Sequence, residues 1–331
     1  MTNQLVGRDV SAHCILPEVA GGWESGGVYM DTISSDQLIE RVLREANKDL
    51  GERLEADVIA LKAPMMQPVD DIVRTEVEGI KEAKKKAQRD KLVVLVETDG
   101  GFVETVERIV SVFRKHYSTV DFIIPNYAYS AGTLLVMSGD DIMMDYYSVL
   151  GPIDPQYPGE NGDEYVPGMG YLAKFQELME TVNNPPDGDD TKVKAELAFL
   201  IKKFDPAKLF NIEQSVDHAK SLLREWLPKY KFKDWSTTET AGKSVDSGDK
   251  EARAEQIASV LGDAKRWHSH GRGIGMRELE SEEIKLKITD FGADKDLNAN
   301  IRHYHGLFID YLRKRGMRAA LHTGRGVRRV M

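Results

Sequence analysis

The sequence predicts an α/β protein: a parallel sheet flanked by helices, followed by a mostly helical C-terminal region. Two observations carry this reading. Between residues 57 and 147, short β-rich runs alternate with stretches of amphipathic helical spacing, the pattern of a parallel sheet covered by crossover helices. Beyond residue 156 the composition shifts. YPGENGDEYVPG (157–168) is rich in Gly, Pro and acids and predicts an exposed loop, after which helical spacing dominates.

The elements follow in order. DVIALKA (57–63) predicts a strand, and 69–87 a charged helix. KLVVLVET (91–98) is apolar enough for a strand buried on both faces. Phe102, Val106, Ile109, Val110 and Phe113 recur at helical spacing, so 102–116 is a helix with one apolar stripe. A strand at 120–125, a helix opened by Ser130 and a strand at 141–147 complete the alternation. Further on, helices are predicted at 171–182, along the stripe Val193, Leu197, Leu200, Ile201 and Phe204, and at 208–228, 249–266 and 295–315. NNPPDGDD (183–190) breaks the chain between the first two, and KLKITDF (285–291) is a short strand candidate. Residues 1–50 fit no part of the alternation and are assigned to an N-terminal arm or cover segment. The core spans 51–182, and 183–331 forms the helical C-terminal region with a basic tail.

With 331 residues the chain has ample length to bury a core. Its net charge of -9 argues against nucleic-acid binding, which favours a basic face. The charge is uneven: Arg313, Lys314, Arg315, Arg318, Arg325, Arg328 and Arg329 lie in a terminal stretch without a single acid. That stretch reads as a solvated or subunit-contacting end. Cys14 is the only cysteine, so no internal disulfide forms, in keeping with a reducing compartment. The sequence has no signal pattern at its start and no window near the roughly 18 apolar residues of a membrane span. The expected location is cytoplasmic.

Two junctions bracket the candidate site. The strand 91–98 runs through Thr98-Asp99-Gly100-Gly101 into a helix, and NYAYSAGTLL (126–135) leaves the next strand in the same way. Both lie at carboxyl ends of neighbouring parallel strands, where α/β proteins place their sites. A serine at such a junction is either a helix N-cap or a nucleophile. The glycine pair lets backbone N–H groups turn toward a bound group. N–H groups of Gly101 (or Gly100) and Ala131 are thus candidates for an oxyanion hole, with Ser130 Oγ positioned to attack the carbonyl between them.

ETDGGFVETVERIV (97–110), the thirty positions from Gly100 to Ser130, YSAGTLLVMSGDDIMM and SVLGPIDPQ (148–156) together resemble the serine dehydrogenase proteinase family. That family is grouped with the Clp protease proteolytic subunit and signal peptide peptidase A in the ClpP/crotonase fold. The resemblance covers residues 55–160 well; LLREWLPKYKF (222–232) and the His270-Gly271 segment fit more loosely. It implies a ClpP/crotonase-like catalytic core and a serine peptidase acting on polypeptides, with no cofactor, as a homo-oligomer. Ser130 is then the nucleophile, Gly100 and Gly101 are the oxyanion-loop glycines, and Ala131 supplies the second donor.

The base stays open between imidazole, lysine and carboxylate. Where the Clp subunit carries a histidine after its serine, this chain has Ile153-Asp154-Pro155. Signal peptide peptidase A and its relatives use a lysine further downstream. Lys174 is the only lysine between 116 and 191 and sits in the apolar setting GMGYLAKF, where desolvation would lower its pKa; it is equally a snorkelling residue on an amphipathic helix. The expected catalytic set is therefore Ser130, Lys174 and Asp154, with His270 as a remote alternative base. The pairs His268/His270 and His303/His305 lack a third ligand at metal spacing, so no metal is expected. GRGIG (271–275) follows no buried strand and is not a phosphate loop. Two other readings use the same geometry: a catalytically inactive ClpP-fold scaffold or binding module, and a crotonase-type acyl-CoA enzyme.

Overall fold

Leu92, Val94 and Val96 face one hydrophobic layer while Val93 and Leu95, between them, face another. This two-residue alternation, with both sides apolar, is why the stretch forms an interior strand of a covered sheet. A computed structural model of the chain describes residues 34–84, 89–154, 156–158, 165–184, 190–238 and 242–331. In order, it has α1 (Ser35–Arg53), β1 (Asp57–Lys62), α2 (Val69–Ala83), β2 (Lys91–Glu97), α3 (Val103–His116), β3 (Thr119–Ile123), β4 (Tyr127–Ala128), α4 (Ala131–Met137), β5 (Asp141–Met144) and β6 (Val149–Leu150). Then come β7 (Gln156–Pro158), β8 (Tyr165–Pro167), α5 (Gly168–Asn183), α6 (Asp190–Lys203), α7 (Pro206–Lys229), α8 (Ser247–Leu261), α9 (Ala264–Trp267) and α10 (Met276–Glu280). β9 (Thr289–Asp290), α11 (Lys295–Lys314), β10 (Ala320–Thr323) and β11 (Gly326–Arg329) close the chain.

The main sheet has the order β11-β10-β1-β2-β3-β5-β9. The run from β1 to β9 is parallel, and β10 joins β1 antiparallel with Ala60 opposite His322. The mixed α/β class with a mostly parallel, helix-flanked sheet is as the sequence predicts. One face is covered by α2, α3, α4, α7 and α8, whose Val73, Val77, Ile109, Phe113, Leu135, Leu223 and Ile257 share a layer with Ile59, Leu61 and Val94. The other is covered by α1 and α11 through Leu43, Leu50, Ile301, Tyr304 and Phe308.

Three expectations are revised. Of the presumed arm, residues 1–33 lie outside the described residues, but 35–53 form α1, opened by a capping box in which Ser34 accepts from Gln37 N–H. The terminal stretch 313–331 is not simply solvated: β10 is buried along its length and β11 pairs with it, while Arg328 reaches the buried Glu76. In the stretch 157–168, the described residues of β7 and β8 pair antiparallel rather than forming only a loop.

β4 and β6 make a separate parallel pair beyond the carboxyl end of the main sheet. Bridges tie this pair in, from Thr98 to Ala128 on one side and from Leu150 to Ile274 on the other. The segments leaving β2, β4 and β6 are therefore neighbours, and the candidate site lies among them.

Candidate active site

Ser130 does not act as a helix cap. Its backbone sits at φ 52°, ψ −120°, and its side chain accepts no bond from the first turn of α4. A non-glycine residue in that region is strained, and such strain persists where the surroundings enforce it. Tyr129 N–H donates to Thr98 O at 2.9 Å, and Tyr129 O accepts Gly132 N–H at 2.8 Å. These bonds clamp the residue before Ser130 and force the sharp turn. Among the described residues nothing hydrogen-bonds Ser130 Oγ.

The glycine loop lies directly against this turn. A Cβ on Gly100 would stand 2.8 Å from Ser130 Cβ and 3.3 Å from Ala131 N. Gly100 and Gly101 have φ of +101° and +146°, which a side chain would resist. Their amides differ. Gly100 N–H donates to Thr98 Oγ1 at 3.1 Å, and Gly100 O accepts Met65 N–H at 2.7 Å. Gly101 N–H and Ala131 N–H have no acceptor among the described residues.

The segment after β6 packs on the other side of the turn. A Cβ on Gly151 would lie 3.1 Å from Tyr129 Cα. Thr133, fully buried on α4, fastens this contact: its hydroxyl accepts Gly151 N–H (3.0 Å) and lies within bonding reach of Ala128 O (2.9 Å) and Gly151 O (2.8 Å). Three residues further on, Asp154 is 2% exposed, and its Oδ1 lies 2.7 Å from His270 Nδ1. Asp154 Oδ2 is buried and has no partner among the described residues. The bridge from Ile274 to Leu150 brings the histidine segment here, and His268 within it also has a positive φ, 59°.

Lys174 lies on α5, more than half exposed, with Nζ 2.8 Å from Glu177 Oε1. The surroundings are therefore aqueous rather than desolvating. His303 is exposed on α11, whereas His305 bonds Glu97 Oε2 at 2.8 Å. Burial alone would raise the Glu97 pKa, but hydrogen bonds from His305 and Lys62 bring it down to about 2. Among the described residues there is no group of three or more His, Cys, Asp and Glu able to hold a metal. No helix of the described residues is long and apolar enough to cross a membrane.

Thr133 and Thr98 were not legible as site residues, since a threonine that braces backbone looks in sequence like any buried threonine. The pairing of Asp154 with His270 had only the loose family resemblance near His270 to suggest it.

A parallel α/β sheet with a strained serine turn packed on a glycine loop at its carboxyl edge defines the class. Residues 58–162 match the family described as ClpP-like SDH-type serine proteinase. That bears out the resemblance to the serine dehydrogenase proteinases. Among curated proteins, the uncharacterized protein MJ0137 of Methanocaldococcus jannaschii is 39% identical over 80 residues, 24% of this chain and 28% of the relative. The uncharacterized protein MJ1495 of the same organism is 31% identical over 135 residues, 39% of this chain and 46% of the relative. The chain thus spans less than half the length of these relatives.

Among solved structures, a mutant of the 1510-N membrane-bound stomatin-specific protease aligns with 14% identity and a TM-score of 0.29, over 47% of this chain and 74% of that one. A second mutant of that protease, in complex with a substrate peptide, aligns with 17% identity and a TM-score of 0.29, over 39% and 61%. The ClpP protease catalytic domain from Plasmodium falciparum aligns with 11% identity and a TM-score of 0.27, over 37% and 63%.

Proposed function

We propose that the protein is a serine peptidase that cleaves polypeptides through an acyl-enzyme on Ser130, with His270 as the base and Asp154 orienting it. The observation that carries this is the turn at Ser130: a strained position whose Oγ is uncommitted among the described residues, packed against a loop whose Gly101 amide is likewise unpaired among them. In this reading Ser130 Oγ attacks the scissile carbonyl carbon and its proton passes to His270 Nε2. The developing oxyanion is met by the N–H groups of Gly101 and Ala131. Gly100 shapes the loop, its own amide being spent on Thr98. The tetrahedral species then expels the amine, which takes its proton from His270, and water repeats the sequence to release the acyl group.

His270 is preferred to Lys174 because its Nδ1 is already held by a buried carboxylate, leaving Nε2 as the basic nitrogen. Lys174 instead points a solvated ammonium at Glu177. The test is labelling by a fluorophosphonate probe, with cleavage of a casein substrate, in the wild type and in Ser130→Ala, His270→Ala and Lys174→Ala. Labelling lost in the first two and kept in Lys174→Ala supports the reading. Labelling lost in Lys174→Ala but kept in His270→Ala moves the base to Lys174. A wild type that is never labelled removes Ser130 as nucleophile.

A further inference from the structure

Asp99 is exposed and lies between Thr98 and the Gly100–Gly101 loop. Tyr127 and Tyr129 stand on either side of Ala128, whose bridge to Thr98 sets Asp99 and both tyrosines on one face of the local sheet. The two rings stack with centroids 5.1 Å apart at 22°. Burial, and after it the nearby Asp99 charge, raises the pKa of both tyrosine hydroxyls.

Every cation described around this group already has an acid. Lys62 and His305 both pair with Glu97, and Arg302 pairs with Asp145. Asp99 has no such partner among the described residues, so an uncompensated negative charge is held open next to the acyl-transfer centre. The ring faces are largely taken: Tyr127 stacks on Tyr129 and has Lys62 Nζ 5.9 Å from its centroid, while Gly151 lies against Tyr129. What the tyrosines offer is therefore hydroxyl oxygens beside the carboxylate rather than a face for a cation.

We propose that Asp99, Tyr127 and Tyr129 form a specificity subsite for a cationic side chain, Lys or Arg, of the polypeptide substrate. Asp99 sits one residue from the glycine loop and Tyr129 one residue from Ser130, so the subsite receives a side chain close to the scissile bond. This inference rests on the peptidase reading for its meaning but predicts binding independently of it. An ammonium or guanidinium meeting this exposed carboxylate gains a charge-assisted hydrogen bond, weakened by salt because the site is open to solvent.

The test uses alanine-based octapeptides with one Lys, norleucine or Glu moved through each position. Their cleavage by the full chain is followed by mass spectrometry, and their binding to Ser130→Ala by fluorescence anisotropy. At one or two adjoining positions Lys should be preferred to norleucine by about fivefold, the scale of a solvent-open ion pair, with the preference shrinking in high salt. In Asp99→Asn the ratio should fall to near one, in Asp99→Glu it should persist, and in Asp99→Lys it should turn toward the Glu peptide. Ratios within one variant cancel any general loss of activity. If Lys and norleucine peptides are bound and cleaved alike by the wild type, or if the preference survives in Asp99→Asn, the subsite is overturned. If nothing is cleaved, the anisotropy ratios on Ser130→Ala still decide it, while failure of fluorophosphonate labelling falls on the nucleophile reading alone.

Discussion

Asp154 Oδ1 and His270 Nδ1 lie 2.7 Å apart across 116 positions of sequence, with the second carboxylate oxygen buried and unpartnered among the described residues. A buried acid left half satisfied costs stability, and such costs gather at sites where the group works. Asp154→Asn should lower kcat by about 10³- to 10⁴-fold with little change in KM, since an amide cannot stabilise the imidazolium. The melting temperature should not fall by more than a few degrees, because removing the charge also removes its burial cost. Steady-state kinetics beside a thermal melt would check this; a fully active variant would leave the histidine without its orienting partner.

The glycine loop gives a prediction of the opposite kind. In Gly100→Ala the new Cβ would stand 2.7 Å from Tyr129 O and 2.8 Å from Ser130 Cβ, at a φ that alanine resists. The strain alone is worth about 1–3 kcal/mol. Fluorophosphonate labelling should slow at least tenfold while the circular dichroism spectrum keeps its α/β shape. Unchanged labelling would show that the loop does not press on the nucleophile turn.

Thr133 braces the junction from beneath. Thr133→Val keeps the volume but removes the hydroxyl that Gly151 N–H meets at 3.0 Å, leaving that donor only Ala128 O at 3.2 Å. The net loss of an interior hydrogen bond costs about 0.5–1.5 kcal/mol. Urea denaturation should report a loss of that size, and Thr133→Ser, which keeps the oxygen, should recover most of it.

Acid should destabilise the protein through His322. This imidazole is fully buried, its Nδ1 lies 2.6 Å from Tyr304 Oη, and its Nε2 has no partner among the described residues. Burial, with a smaller contribution from the Arg44 charge, lowers its pKa from the usual value of about 6.5 to about 3. As pH falls below about 6.5 the unfolded chain takes up this proton first, so folded stability is intact above that value. Stability drops toward pH 3 by up to about 1.4 kcal/mol per pH unit. Urea midpoints measured from pH 7 to pH 4 should show a slope that flattens in His322→Asn, whatever that variant's absolute stability.

The parallel core was legible because its strands are buried on both faces, so DVIALKA and KLVVLVET read as unbroken apolar runs. The sheet's other edge was not. β10 is only four residues long, and the arginines around it suggested solvent. Its charge is settled instead by a long-range partner, Glu76, which no local pattern announces. In the site, Ser130 and the two glycines stood out because each marks an abrupt strand-to-helix junction. The lysine at 174 drew attention by its apolar neighbours, yet its own ammonium faces water and Glu177. A histidine 116 positions beyond its acid is specified by tertiary folding alone.

Because His322 sits opposite Ala60 in the register of β10 with β1, the first strand of the sheet waits for a segment made far downstream in the chain. Until then β1 has an unpaired edge. A chain broken off before residue 320 would carry that open edge permanently and would be drawn into sticking to its own kind.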